Sequence, residues 1–230
     1  STPLWSYTTG GDVYGVAISA SGEYIAVASA DDKVYLFDKD SSTPLWSYTT
    51  GHSVLTVSIS ADGEYIAAGS ADYKVYLFHK DSGTPLWSYE TGGEARRVSI
   101  SADGEYIALG CTDKKLYLFD KDSSTPLWSY TAGERVDWVG ISANGEYITA
   151  GSRDDKVYLF DKDSSTPLWS YETGNDVRIV AISADGEYVV AGSYDDRVYL
   201  FDKDSSTPLW SYTTGDDVYE ALAISADGKY

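Results

Sequence analysis

Residues 43–83 read TPLWSYTTGHSVLTVSISADGEYIAAGSADYKVYLFHKDSG, and the chain repeats this 41-residue unit along its length. Trp5, Trp46, Trp87, Trp128, Trp169 and Trp210 stand 41 residues apart, and all six prolines belong to the same T-P-L-W string. A fixed period of this length marks a repeat architecture, in which each unit buries its apolar faces against its neighbours. Turn signals divide the unit into four short apolar runs. Strand a is V-x-x-V-x-I-S, as in Val54 to Ser60, and strand b is Y-I-A-A-G-S, as in Tyr65 to Ser70. Strand c is K-V-Y-L-F, as in Lys74 to Phe78, and strand d is P-L-W-S-Y, as in Pro44 to Tyr48. No segment keeps a helical period over a useful length.

Each turn has a local cause. Gly22, Gly63 and Gly104 supply the positive φ that a tight a–b hairpin needs. Asp and Ser of D-K-D-S-S hydrogen-bond their own backbone and stop strand c. Proline opens strand d, where an outer edge tolerates a missing donor. Small residues in a and b (Ala17, Ser19, Ala26, Ala28) and large ones in c and d give the taper of sheets packed around an axis. The fold class predicted is all-β: a β-propeller of four-stranded antiparallel blades, five complete and a sixth in part. Residues 1–10 supply a lone d strand, and 11–50, 51–91, 92–132, 133–173 and 174–214 the complete blades. Residues 215–230 give a partial blade: a lone a strand from Val218 to Ser225, then Lys229 and Tyr230 of strand b. Tyr188 recurs at Tyr230, a step of 42, so one extra residue predicts a bulge between Val218 and Leu222.

The run V-x-x-V-x-I-S-A-D-G-E-Y-I-A-A-G-S-x-D-D-K-V-Y-L-F-D resembles a WD-repeat blade, with Phe37, Phe119, Phe160 and Phe201 where Trp is usual. The outer segment D-S-G-T-P-L-W-S-Y-E-T-G, at residues 81–92, is similar to pyrroloquinoline-quinone-type (PQQ-like) repeats. Both resemblances imply a propeller, and neither fixes a role, because such folds host many. The WD-type Gly-His pair survives only at Gly51-His52, which implies loss of the Asp-His-Ser-Trp network and leaves the outer Trp to hold the blades.

Composition narrows the function. The 17 Lys and Arg against 36 Asp and Glu give a net charge of −19, which repels phosphate backbones; nucleic acid is not an expected partner. No run of 18 apolar residues occurs, so no membrane insertion is expected. Cys111, the only cysteine, lies where other repeats carry Ser at the end of strand b, and reads as a buried neutral thiol. His52 and His79 fall in turns at opposite ends of the strands, which disfavours a shared metal or a nucleophilic triad. D-K-D-S-S lacks the central Gly and terminal Glu of a calcium loop. The expectation is no catalytic set, no metal and no cofactor.

Differences between the copies point to a site. L-W-S-Y is invariant in all six, whereas variation concentrates just before strand a, in its first residues and in the b–c turn. Strands that alternate in direction bring these three places to one rim, beside the channel mouth. Candidate ligand contacts are Tyr14, Leu55, Arg96, Arg97, Asp137, Trp138, Arg178, Ile179 and Tyr219 at the start of strand a, with Tyr73, Arg153 and Tyr194 in b–c turns. Aromatic and Arg side chains dominate binding hot spots. The function expected is a non-enzymatic binding module for a protein or glycan partner. The alternative is a structural repeat segment of a larger surface or scaffold protein, or a designed propeller without a selected ligand, which the near-identity of the copies leaves open. The incomplete sixth blade adds oligomerisation or complementation by another chain as an expectation.

Overall fold

A computed structural model describes residues 2–219 and 222–229, all β in regular structure. Blade one is β1 (Val13–Ile18), β2 (Tyr24–Ser29), β3 (Lys33–Asp38) and β4 (Trp46–Thr49). Blade two is β5 (Val54–Ile59), β6 (Tyr65–Ser70), β7 (Lys74–His79) and β8 (Trp87–Glu90). Blade three is β9 (Ala95–Ile100), β10 (Tyr106–Cys111), β11 (Lys115–Asp120) and β12 (Trp128–Thr131). Blade four is β13 (Val136–Ile141), β14 (Tyr147–Ser152), β15 (Lys156–Asp161) and β16 (Trp169–Glu172). Blade five is β17 (Val177–Ile182), β18 (Tyr188–Ser193), β19 (Arg197–Asp202) and β20 (Trp210–Thr213). Each is an antiparallel sheet in sequence order, a to d.

Burial explains why the four runs differ in composition. Strands b and c are covered on both faces by adjacent blades, so Y-I-A-A-G-S and K-V-Y-L-F are nearly continuous apolar runs. Strand d is the outer edge and alternates half-buried with exposed, as W-S-Y does. The core is thus a set of inter-blade layers. Ala26, Ala28, Val34 and Leu36 of blade one meet Val54, Ile66, Tyr76 and Phe78 of blade two, and the pattern recurs around the axis. Gly69 is required by this approach: a Cβ there would lie 2.6 Å from the Ala95 carbonyl oxygen of the next blade. The expected positive φ at the a–b hairpin is present, +78° at Gly63. Cys111 is fully buried, and burial pushes its thiol up to about 12.

The outer tryptophans clamp successive blades. Trp46 stacks on Phe78 at 5.2 Å and donates its Nε1–H to the Lys80 carbonyl at 2.7 Å. Trp87, Trp128 and Trp169 do the same one blade on. Near the channel floor a backbone girdle links the a–b turns: Ala20 donates to Ala61, Ala61 to Ala102, and so on to Ala184 and Ala226.

The terminal segments take the places of strands d and a without strand pairing. Trp5 stacks on Phe37 at 5.5 Å and donates to the Lys39 carbonyl, as an outer strand would. Residues 2–9 nonetheless form no ladder, so the expected lone d strand is an extended segment held by side chains. A strand needs a neighbour, and here none of the described residues supplies one. At the other end Val218 donates to Ser193 and Ala226 closes the girdle, again without a ladder. The expected bulge between Val218 and Leu222 includes residues 220 and 221, and the expected start of strand b includes Tyr230; these lie outside the described residues.

Candidate functional site

A bulge builds the site, one residue per blade. In every complete blade the pairing of strands a and b slips by one residue near the start of a. Val54 faces Ser70 and Thr56 faces Gly69, so Leu55 has no partner across the ladder. Tyr14, Arg96, Asp137 and Arg178 are the equivalent unpaired residues. A bulge re-aims its extra side chain. Here all five, with Tyr219, Arg97 and Trp138, line a cavity of about 410 Å³ at one mouth of the central channel.

The turns around this mouth are tied to one another. Asp72, in the b–c turn, accepts the Gly51 N–H of the d–a turn at 2.7 Å and the Tyr76 hydroxyl at 2.6 Å. Asp31, Asp113, Asp154 and Asp195 repeat both bonds. An Asp–Tyr–Gly network therefore stands in each blade beside the outer Trp, which was expected to hold the blades in place of the lost WD-type network. Burial first, and the bond to Asp72 second, raise the Tyr76 hydroxyl far above the ordinary phenol range, so it stays a donor. Asp72 Oδ1 also accepts the Lys74 N–H, and the residue between them, Tyr73, sits at φ +70°.

Charge on the rim is local and mostly paired. Five of the six arginines, Arg96, Arg97, Arg135, Arg153 and Arg178, belong to blades three to five at this mouth. Asp137 is buried among three of them. Arg153 Nε donates to its Oδ2 at 2.7 Å, and Arg178 Nε lies 3.4 Å from the same oxygen. Arg135 Nε is 3.0 Å from Oδ1, close enough for ion pairing but off the line of a hydrogen bond. Burial pushes the Asp137 carboxyl upward, while Arg135, Arg178 and Arg96 pull it back. Asp176 supports Arg153 at 3.7 Å and Arg178 at 3.9 Å, and Glu94 pairs with Arg96 at 3.4 Å.

Arg97 differs from its neighbours. Its guanidinium lies 3.5 Å from the ring centroid of Trp138, and among the described residues no carboxylate pairs with it. Burial lowers its pKa to about 10, which leaves it charged at neutral pH. The Arg178 guanidinium lies 4.8 Å from the Tyr194 ring centroid, and Tyr194 meets Tyr219 edge-on at 5.8 Å. Towards blade six the sign reverses: Asp196, Asp216 and Asp217 bring carboxylate oxygens within 4.8 Å of one another on turns.

Eight of the twelve candidate residues thus share the mouth. Arg153 and Tyr194 stand behind it, as partners of Asp137 and Arg178. Tyr73 stays apart, half-exposed in the b–c turn of blade two. Ile179 is a correction: it is 1% exposed and does not line the cavity, although Arg97 and Trp138, at the equivalent position after the bulge, do. Asp137 lines the mouth, and its buried carboxylate is held by arginines of this chain. Trp138 is also less free than expected, being packed on the blade-five core around Val177 and Val180. Residues not foreseen as part of the site are Glu94, Arg135 and Asp176. Their signal was available: Glu94/Arg96, Arg135/Asp137 and Asp176/Arg178 are opposite charges two residues apart where the d–a turn enters strand a.

A search of curated proteins finds no match to the chain. Repeat period, blade topology and outer-strand string agree with the family comparison, which matches residues 2–138 and 116–227. The chain belongs to the PQQ-type repeat family described as outer membrane protein assembly factor BamB.

Proposed function

We propose that this propeller is a non-enzymatic recognition module that holds a carboxylate of a protein or glycan partner on Arg97 at the channel mouth. The observation that carries the reading is the half-buried Arg97 guanidinium, stacked on Trp138 and without a carboxylate partner among the described residues. Desolvating a cation without a counter-ion costs free energy, and a carboxylate accepting two N–H bonds from that fork returns it. A cavity of about 410 Å³ accommodates one sugar ring or one acidic side chain, with Tyr14, Leu55 and Tyr219 as walls. The acidic remainder of the surface repels anions elsewhere, which confines such a ligand to this spot. The structural alternative draws on the ion pairs, which make part of the rim self-complementary. It leaves Arg97 unexplained.

The test is an array of acidic and neutral glycans beside an array of acidic peptides, probed with the whole chain. Signal on the acidic members of one array, and loss of about 10–100-fold in affinity in Arg97→Gln, is the expected result. Asp81→Ala, in a constant turn of the opposite face, is expected to change nothing. Binding that survives Arg97→Gln and fails in Asp81→Ala would overturn the reading.

A further inference from the structure

We propose that the slot between blade five and blade one receives a two-stranded β-hairpin carrying the repeat's own b–c pattern, supplied by another polypeptide segment. This rests on the edges of the ring and is independent of the channel-mouth site. At complete junctions, strands b and c of one blade cover strands a to c of the next. Val98 and Ile100 of β9 are then 3% and 8% exposed, whereas their blade-one equivalents Val16 and Ile18 are 62% and 61% exposed. Val13, Val16, Val27 and Phe37 line an apolar cleft of about 120 Å³ with Trp5 and Tyr7. Across the slot, β19 loses the full burial of its counterparts, and Trp210 and Tyr212 of β20 are exposed.

Both flanks of the slot are already in position. Trp5 sits on Phe37 as the outer strand of a blade would, and Val218 and Ala226 hold the inner segment against blade five. What the described residues lack is a partner for each. The polar groups say which partner fits. In five d–a turns a glycine N–H donates to the Asp of a b–c turn, as Gly51 does to Asp72. The sixth such glycine, Gly215, has no acceptor among the described residues, and its φ has moved to +99°. Among the described residues Trp210 has neither a phenylalanine beneath its ring nor a carbonyl for its Nε1–H, both of which the other five outer tryptophans have.

An occupant must therefore present two strands for ladder pairing, an Asp at their turn, and a Phe followed two residues later by a free carbonyl. A helix offers no ladder partners to either segment. The b–c hairpin Glu23–Lys39, EYIAVASADDKVYLFDK, has every one of these features in its own blade.

The experiment titrates a synthetic peptide of that sequence onto the 230-residue chain, followed by calorimetry and by the indole N–H resonance of Trp210, assigned with Trp210→Phe. Expected are saturable 1:1 binding, a rise in Tm, and a shifted, exchange-protected Trp210 resonance. Phe37→Ala in the peptide, and Val16→Asp in the protein, should each weaken binding by about tenfold or more. Val16 is already exposed, so circular dichroism of Val16→Asp should match the parent. Should that variant fail to fold, the peptide variant alone decides. No saturable binding, or binding indifferent to Phe37→Ala, overturns the proposal. So does self-association of the chain through these edges that the peptide fails to displace, read by light scattering.

Discussion

Six copies of L-W-S-Y lie in one chain, and five of their tryptophans face a blade while one does not. That makes Trp128→Ala against Trp210→Ala a comparison within one molecule. Trp128 stacks on Phe160 at 5.4 Å and donates to the Lys162 carbonyl at 2.7 Å. Its loss removes a hydrogen bond worth about 1 kcal/mol and an aromatic pair worth about 1 kcal/mol. It also exposes about 100 Å² of apolar surface, near half of what a tryptophan can bury, at about 25 cal/mol per Å². The sum is about 4.5 kcal/mol, inside the range of about 3–5 kcal/mol for Trp→Ala at packed sites. Trp210 is 48% exposed and, among the described residues, has neither ring nor carbonyl partner, so Trp210→Ala loses only the burial of about half its surface on its own sheet, about 2 kcal/mol. Trp128→Phe keeps the stacking and should cost about 1 kcal/mol, the hydrogen bond alone. Urea unfolding followed by far-ultraviolet circular dichroism, at matched slope, measures all three. If Trp210→Ala and Trp128→Ala agree within about 0.5 kcal/mol, the Phe–Lys junction is not what these tryptophans contribute.

Two further outcomes follow from the turns. Tyr73 holds φ +70° with a large side chain, so Tyr73→Asn should be neutral or stabilising while Tyr73→Val costs about 1 kcal/mol in the same unfolding assay. Equal effects of the two would show that the left-handed geometry is unstrained. Tyr35, Tyr76, Tyr117, Tyr158 and Tyr199 each have a raised pKa, through burial and then the bond to Asp. Their contribution is complete below the unfolded value of about 10 and is lost as pH rises above it, by about 1.4 kcal/mol per pH unit for each group. Tyr76→Phe should flatten that alkaline loss by one group's share, and an unchanged slope would sink the linkage.

Fold and rim were legible because both rest on periodicity. Runs b and c are apolar throughout since blades cover both faces, and a run of that kind between turn residues has few other readings. The Asp–Tyr–Gly network was missed although Asp31 and Tyr35 recur at every 41st residue, because an invariant Asp in a turn reads equally well as turn chemistry. The bulge was missed for a different reason. It repeats in all five blades, so nothing in a comparison of the copies exposes it; only the ladder shows that Leu55 and its equivalents lack partners. Ile179 was misplaced for a third reason: its short apolar side chain is buried at a position where the longer Arg97 and the Trp138 ring reach the mouth.

The bulge also changes what variation on the rim means. A side chain without a ladder partner is released from inter-blade packing, so tolerance alone accounts for finding Tyr, Leu, Arg and Asp at equivalent positions. Location is then weak evidence for a ligand. Charge pairing is stronger. Independent drift at tolerant positions does not place Glu94 beside Arg96, Arg135 beside Asp137 and Asp176 beside Arg178 in three successive blades. Those pairs answer to the chain itself, because each charge beside the channel needs a counter-charge once desolvated. Arg97 falls under the same requirement and is the arginine of that cluster for which the described residues supply no acid. That lack among the described residues is the physical content of proposing an anionic partner for the mouth.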